Sequence, residues 1–270
     1  MSEQADWDDV QSIVDNYVQM VQAELSERWN LWSIDLVNRE MYEVIGALLA
    51  RQVTLTTQLV NAPTIWNGHI APLILRTMTD TYITLAWIFC DPLDRAQKFI
   101  LHGLGQEKLQ IEHRKADLES RGINAEEDLL VQAKEAWLNS QRYSFLTEVN
   151  IGSWSGIDTR KMAQEAGCIE LYNYAYAPFS AATHSMWHHI SRYNLVTCSN
   201  PLHGYHHTPV DTPVDAVDPD YFYRAAKYVE KSFNLFDEKT GIQVNVPSSF
   251  QALVEGFGRL SRTDTQNAHE

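Results

Sequence analysis

Two opposite charges stand alone in the most apolar stretch of the chain. Between Thr64 and Cys90 the only full charges are Arg76 and Asp80. A spacing of four puts both on one face of a helix, within reach of each other. Arginine before aspartate is the weaker order for helix stability, so local benefit is a poor account of the pair. In an apolar helix such a pair either ties helices together as a buried ion pair or faces a site. As a site, Arg76 would hold an anionic group such as a phosphate, with Asp80 orienting the guanidinium.

A second chemistry-bearing run is PFSAATHSMWHH (178–189). At 100° per residue it has an apolar stripe of Phe179, Ala182, Met186 and Ile190 and an opposed polar stripe of Ser180, His184 and His188. His184 would serve as an acid–base group or hydrogen-bond donor, since imidazole changes charge near neutral pH. The spacing of four from His184 to His188 also suits a transition metal, with His203, His206 or His207 completing the set. No Glu follows His184, so the metalloprotease pattern is absent. One core histidine and one surface histidine is the bland account of the same residues. Trp154 and the tyrosines at 172, 174 and 176 read as core or interface aromatics, with a hydroxyl beside His184 suiting a polar pocket. Arg95 and His102, with six residues between them, fit the pattern of helical ribonucleases, in which four to six residues separate Arg from His. A second match, Arg262 to His269, falls in the tail, and a chain with this many Arg and His residues yields such spacings by chance. Phosphate-binding loops, dinucleotide fingerprints, serine-hydrolase elbows and paired ExxH motifs are missing.

The elements that must position these residues are helices. Apolar spacing predicts a first helix over 6–30, a second over about 35–60 and a third over about 64–90. Asp91 and Pro92 open a fourth that Gly122 ends, and a fifth covers about 125–139. The run NIGSWSG (150–156) reads as a loop, and Asp158 caps a short helix ended by Gly167. Helical patterning resumes at Glu170 and reaches Arg192 through Pro178. Residues 195–219, with four prolines and three histidines, read as one long loop. Helices over about 219–238 and 248–260 follow, then a tail. The expectation is an all-α fold, a single bundle of eight to ten helices over residues 1–262, with a disordered tail over 263–270. In the third helix Pro72 and the charge pair fall centrally and threonines interrupt the hydrophobicity, which favours a core helix over a membrane span.

Composition narrows the function classes. The chain has 270 residues, 44% of them hydrophobic, and 21 Lys+Arg against 35 Asp+Glu give a net charge of -14. Such a surface repels phosphate backbones and anionic lipids at long range, so general nucleic-acid or membrane-surface binding is not expected. Three widely spaced cysteines, Cys90, Cys168 and Cys198, fit a reducing compartment, and the acidic start MSEQADWDDV lacks a signal-peptide pattern. The expected location is cytoplasmic.

Three ordered blocks carry a resemblance: RTMTDTYITLAWIFCDPLDRAQKFILHGLGQEK (76–108), WSGIDTRKMAQEAG (154–167) and LYNYAYAPFSAATHS (171–185). Over residues of about 40–195 the chain resembles a bacterial family catalogued as domain of unknown function 5677. The family pattern falls here on Arg76, Asp91-Pro92, Arg95, Phe99, Trp154, Tyr172, Tyr176, Ser180 and His184. Asp80 stands where the family has Glu, which shortens the reach, and His102 stands where Tyr is usual. The resemblance implies an all-α cytoplasmic bacterial protein and names no activity, but it favours Arg76, residue 80, Trp154, Tyr176 and His184 meeting in space.

The resulting expectation is a pocket with Arg76, Asp80 and His184 as catalytic residues, and with Trp154, Tyr172, Tyr176, Ser180 and Arg95 around the ligand. It would bind or hydrolyse a phosphate-containing ligand, a nucleotide or RNA, in bacterial stress or phage defence, with no cofactor required. Two alternatives stand beside it. One is a non-catalytic helical interaction protein whose buried polar network specifies packing and whose aromatic-rich helices self-associate. The other is a metal site of His184, His188 and His203.

Overall fold

The computed structural model describes residues 3–141, 153–211 and 217–267. The first helix, α1 (Glu3–Leu31), buries Val14, Tyr17, Val21, Glu24 and Arg28. These alternate at three and four residues, the spacing of a helix seam. The last two helices, α10 (Asp220–Thr240) and α11 (Ser249–Asn267), pack against one another, and α11 lies along α1. On α10 the buried set Phe222, Ala225, Ala226, Val229, Ser232, Phe233 and Phe236 is a clean 3.6-residue stripe. That stripe meets α2 (Arg39–Val60) and α3 (Ala71–Ile88), and Gln52 ties the three together, its amide donating to the Met78 carbonyl at 2.9 Å and to Ser232 Oγ at 3.1 Å.

Helix α3 is central. It is covered by α2 and α10 on one side, and by α6 (Thr159–Glu165) and α8 (Ala177–Thr183) on the other. Burial on both sides is why it reads as apolar all round. It begins later than the sequence suggests. The chain turns through Pro63–Ile65, and Asn67 Oδ1 accepts from the amides of His69 and Ile70. Pro72 therefore lies in the first turn, where its missing N–H costs nothing, and the helix is not kinked in its centre. Among the described residues no helix is long and apolar enough to cross a membrane. Asp91 precedes α4 (Pro92–Ser120) as expected, but its side chain makes no capping bond, whereas Asp128 and Asp158 cap α5 (Leu129–Ser140) and α6.

Three parts of the expected organisation are corrected. The segment from Pro178 to Arg192 is not one helix. The single turn α7 (Ile169–Leu171) runs through a π-turn at Tyr172–Tyr176 into α8, which stops at His184. Ser185 then takes φ 47° and Met186 is extended before α9 (Trp187–Tyr193). The continuous apolar stripe is broken: Phe179 is buried, while Met186 is 42% exposed. The long loop contains an antiparallel hairpin, β1 (Leu195–Thr197) with β2 (His207–Pro209), in the register Leu195↔Pro209, Val196↔Thr208, Thr197↔His207. Helix α11 also continues past Leu260 to Asn267, through residues read as tail. Residues 150–152 of the NIGSWSG loop, Pro213 of the loop after β2, and the end of the tail lie outside the described residues. The architecture is all-α and multi-helical, with this hairpin as an appendage.

Candidate functional site

Arg76, one turn into α3, points at α8 and the π-turn. Its Nε donates to Ser180 Oγ at 2.8 Å, and its guanidinium carbon lies 3.2 Å from the centre of the Tyr176 ring. Ser180 in turn donates to the Tyr176 carbonyl at 2.8 Å, and the Tyr176 ring stacks on Tyr172 at 4.8 Å. Asp80 approaches Arg76 at 3.8 Å, beyond direct hydrogen-bond length, and its side chain stays 47% exposed while that of Arg76 is 15% exposed. Arginine suits this position because its flat guanidinium offers a face to the ring and edge donors to the hydroxyl together.

Asp80 opens onto a cleft of about 580 Å³ between α3 and the segment that leads into α6. Thr84, one turn further along α3, shares its wall. Ser153, Trp154, Gly156, Ile157, Asp158, Thr159 and Met162 form the opposite side. Gly156, at φ 72°, turns the chain there as a glycine can and most residues cannot. Ser153 and Ser155 both donate to the Ile157 carbonyl, at 2.9 and 2.7 Å, which fixes the loop, and Asp158 Oδ1 accepts the Lys161 amide at 2.7 Å. The Tyr176 hydroxyl donates to Thr159 Oγ1 at 3.3 Å, so the arginine cluster braces the cleft from behind. Burial raises the Asp80 pKa above the ordinary aspartate value, and the nearby Arg76 pulls it only part of the way back. A carboxyl with a raised pKa in a cleft marks a candidate functional group.

Trp154 links this cleft to a second cluster. Its indole meets Trp87 and Phe99 edge-on, at 5.3 and 4.9 Å between ring centres. Arg95 covers the Trp87 ring at 3.7 Å and donates to the Trp87 carbonyl at 2.6 Å, and Glu165 accepts from Trp87 Nε1 at 2.7 Å. Arg95 thus holds α3, α4 and α6 together beside the cleft and is not part of its lining.

The structure therefore brings Arg76, Asp80, Tyr172, Tyr176 and Ser180 into one cluster, with Trp154 across the cleft. It leaves His184 out. That residue ends α8 on the exposed surface, and among the described residues no hydrogen bond or ion pair joins its imidazole to Arg76, Asp80 or Tyr176. The metal set of His184, His188 and His203 is not assembled either, because the break at Ser185 takes His188 onto a different helix and His203 sits at the hairpin with Cys198 and His206. The sequence reading missed Thr84, Ser153, Asp158 and Thr159. Thr84 was findable, since it follows Asp80 by four on the same face. Asp158 was hidden because a capping role explains it fully, and Thr159 because it reads as an ordinary first residue of that helix.

No curated protein and no solved structure matches the chain. One family does, over residues 42–201, a span that contains α3, α4, α6, the arginine cluster and every residue lining the cleft. By that match the chain belongs to the family described as a family of unknown function, DUF5677.

Proposed function

We propose that the chain binds a small neutral or cationic molecule in the cleft between α3 and α6. The ligand has a flat apolar part set against Trp154 and hydrogen-bonding groups met by Asp80 and the hydroxyls of Thr84, Ser153 and Thr159. The observation that carries this is the charge of the lining: among the described residues it includes two carboxylates, Asp80 and Asp158, and no lysine or arginine. A ligand phosphate would have to approach both carboxylates, which costs Coulomb energy that the shielded Arg76 offsets poorly. The cleft volume is in the range of small-molecule sites. Arg76 acts from behind the lining, holding Asp80 and Tyr176 in position.

The phosphate reading keeps one support. Among the described residues the Nη atoms of Arg76 make no hydrogen bond, only the 3.8 Å approach to Asp80. A thermal-shift screen of the full chain separates the two readings, with compounds sorted into cationic, neutral aromatic and phosphate-bearing groups. A ligand at a hundred times its Kd adds about 2.7 kcal/mol, which for a chain of this size raises the midpoint by roughly 5–10 °C. The proposal expects such shifts among cationic or neutral aromatic compounds, lost in Trp154→Ala. Shifts confined to phosphate compounds and lost in Arg76→Ala would overturn it in favour of the anion site.

A further inference from the structure

The hairpin carries a chemistry that the cleft does not use. Cys198 follows β1 directly, and its amide donates to the His206 carbonyl at 3.0 Å, which extends the β1–β2 pairing by one step. Between them the chain makes two successive tight turns, with His203 N–H donating to the Asn200 carbonyl and His206 N–H to the His203 carbonyl, each at 3.0 Å. Tyr205, at φ 62°, reverses the chain into β2. These turns place one thiol and two imidazoles on the same side of the tip. One ligand atom from each of Cys198, His203 and His206 lies within 4.8 Å of the others. Cys198 Sγ and His203 Nδ1 are 3.7 Å apart. A tetrahedral zinc ion, with bonds of about 2.3 Å to sulfur and about 2.05 Å to nitrogen, sets that edge at about 3.6 Å. One edge of the site is therefore already at its bonded length. Rotation of the exposed His206 ring supplies the remaining closure.

The Asn200 backbone N–H donates to Cys198 Sγ at 3.5 Å and helps to fix the position of the sulfur. Asn200 also meets His203 at its second ring nitrogen, Nε2, at 3.1 Å, where a partner can orient a ligating imidazole. The tip is open to solvent, with Leu202 90% and Tyr205 100% exposed, so an ion has a path in.

We propose that Cys198, His203 and His206 bind one divalent transition-metal ion, of the zinc class. One thiolate with two imidazoles is the donor set that suits such an ion over calcium or magnesium. Binding releases one proton, from the Cys198 thiol, and both imidazoles ligate in the neutral form. On His203 the ring proton resides on Nε2 once Nδ1 holds the metal. Asn200 Nδ2 lies 3.1 Å from that nitrogen and Asn200 Oδ1 accepts the Leu202 amide at 3.0 Å, so the Asn200 side chain must turn over to accept from Nε2. The three side chains leave a fourth tetrahedral position for water or an incoming ligand, and the ion cross-links the turn between the two strands.

The test uses the purified, metal-stripped full chain with cobalt(II) as the probe. The expected result is a thiolate-to-cobalt charge-transfer band with the intense visible bands of a tetrahedral ion, saturating at one metal per chain and displaced by zinc. Cys198→Ser abolishes the charge-transfer band, and His206→Ala weakens binding at least about tenfold. Cys90→Ser and Cys168→Ser leave both unchanged. The Cys198 and His206 variants sit at the hairpin tip, outside the helical core, and an unchanged unfolding midpoint of the metal-free forms establishes that the loss is one of ligands and not of fold. A parent chain with no such band, or a band that survives Cys198→Ser, overturns the proposal.

Discussion

Asp80 carries opposing demands. It lies between an arginine that favours its charge and a wall that strips part of its water, and burial wins, leaving its pKa above the ordinary aspartate value. A carboxyl whose folded pKa is raised contributes stability while protonated, below its unfolded value near 3.8, and loses that contribution as pH rises through the folded value. The ionised form at pH 7 is thus a net cost. Asp80→Asn should leave the neutral-pH unfolding midpoint unchanged or raised, and the gain should vanish as the pH is lowered toward 3.8. Calorimetric midpoints at several pH values check this; a large fall at pH 7 would mean the ion pair with Arg76 is structural after all. His184 makes the opposite case. Exposed at the end of α8, it should tolerate His184→Ala within about 0.5 kcal/mol, a midpoint change of roughly 1–2 °C. A fall of many degrees would place it in the core that the sequence stripe suggested. The residue pattern was legible where it rested on spacing within one helix, as for Arg76 and Asp80. It failed at His184 because the argument assumed a helix that continues.

That assumption is an element-scale question. Nothing in Thr183-His-Ser-Met carries the glycine, proline or asparagine that usually announces a break. The chain nonetheless enters the left-handed region at Ser185, with Met186 N–H donating back to the Ala181 carbonyl at 2.9 Å. A serine there pays about 1 kcal/mol that a glycine does not. Ser185→Gly should therefore raise stability by roughly 0.5–1 kcal/mol, measured by denaturant midpoint at constant slope. Within an unbroken helix the same change would lower it by a similar amount, so the sign decides between the two. The helices themselves were legible because their buried stripes keep helical period, as on α10. The hairpin was not, since each strand is three residues long and too short for alternation to register. Pro72 misled for a related reason: its place in the third helix depended on where that helix begins, and Asn67 sets that start through side-chain bonds to two amides.

At the scale of the molecule, polar groups buried far from the cleft hold the helices in register. Arg28 of α1 donates to both carboxylate oxygens of Asp237 on α10, at 2.9 and 2.7 Å, and lies 4.0 Å over the Phe233 ring. Glu24 accepts the Ser249 amide at the start of α11. With α1, α10 and α11 fixed in this way, α3 is a rigid wall, and the cleft forms where α6 and its preceding loop lean against it. The shielding of Arg76 by Tyr176 and the acidic lining follow from that arrangement, and neither is visible in a list of charged residues. The central claim is that Asp80 and the aromatic wall bind a neutral or cationic molecule. The most direct test is calorimetric titration of the tightest compound from the screen into the parent and into Asp80→Asn. The account predicts binding to the parent and at least about tenfold weaker binding to the variant, a loss of about 1.4 kcal/mol. Equal affinity for both proteins, or tighter binding of that compound to the variant, would contradict it.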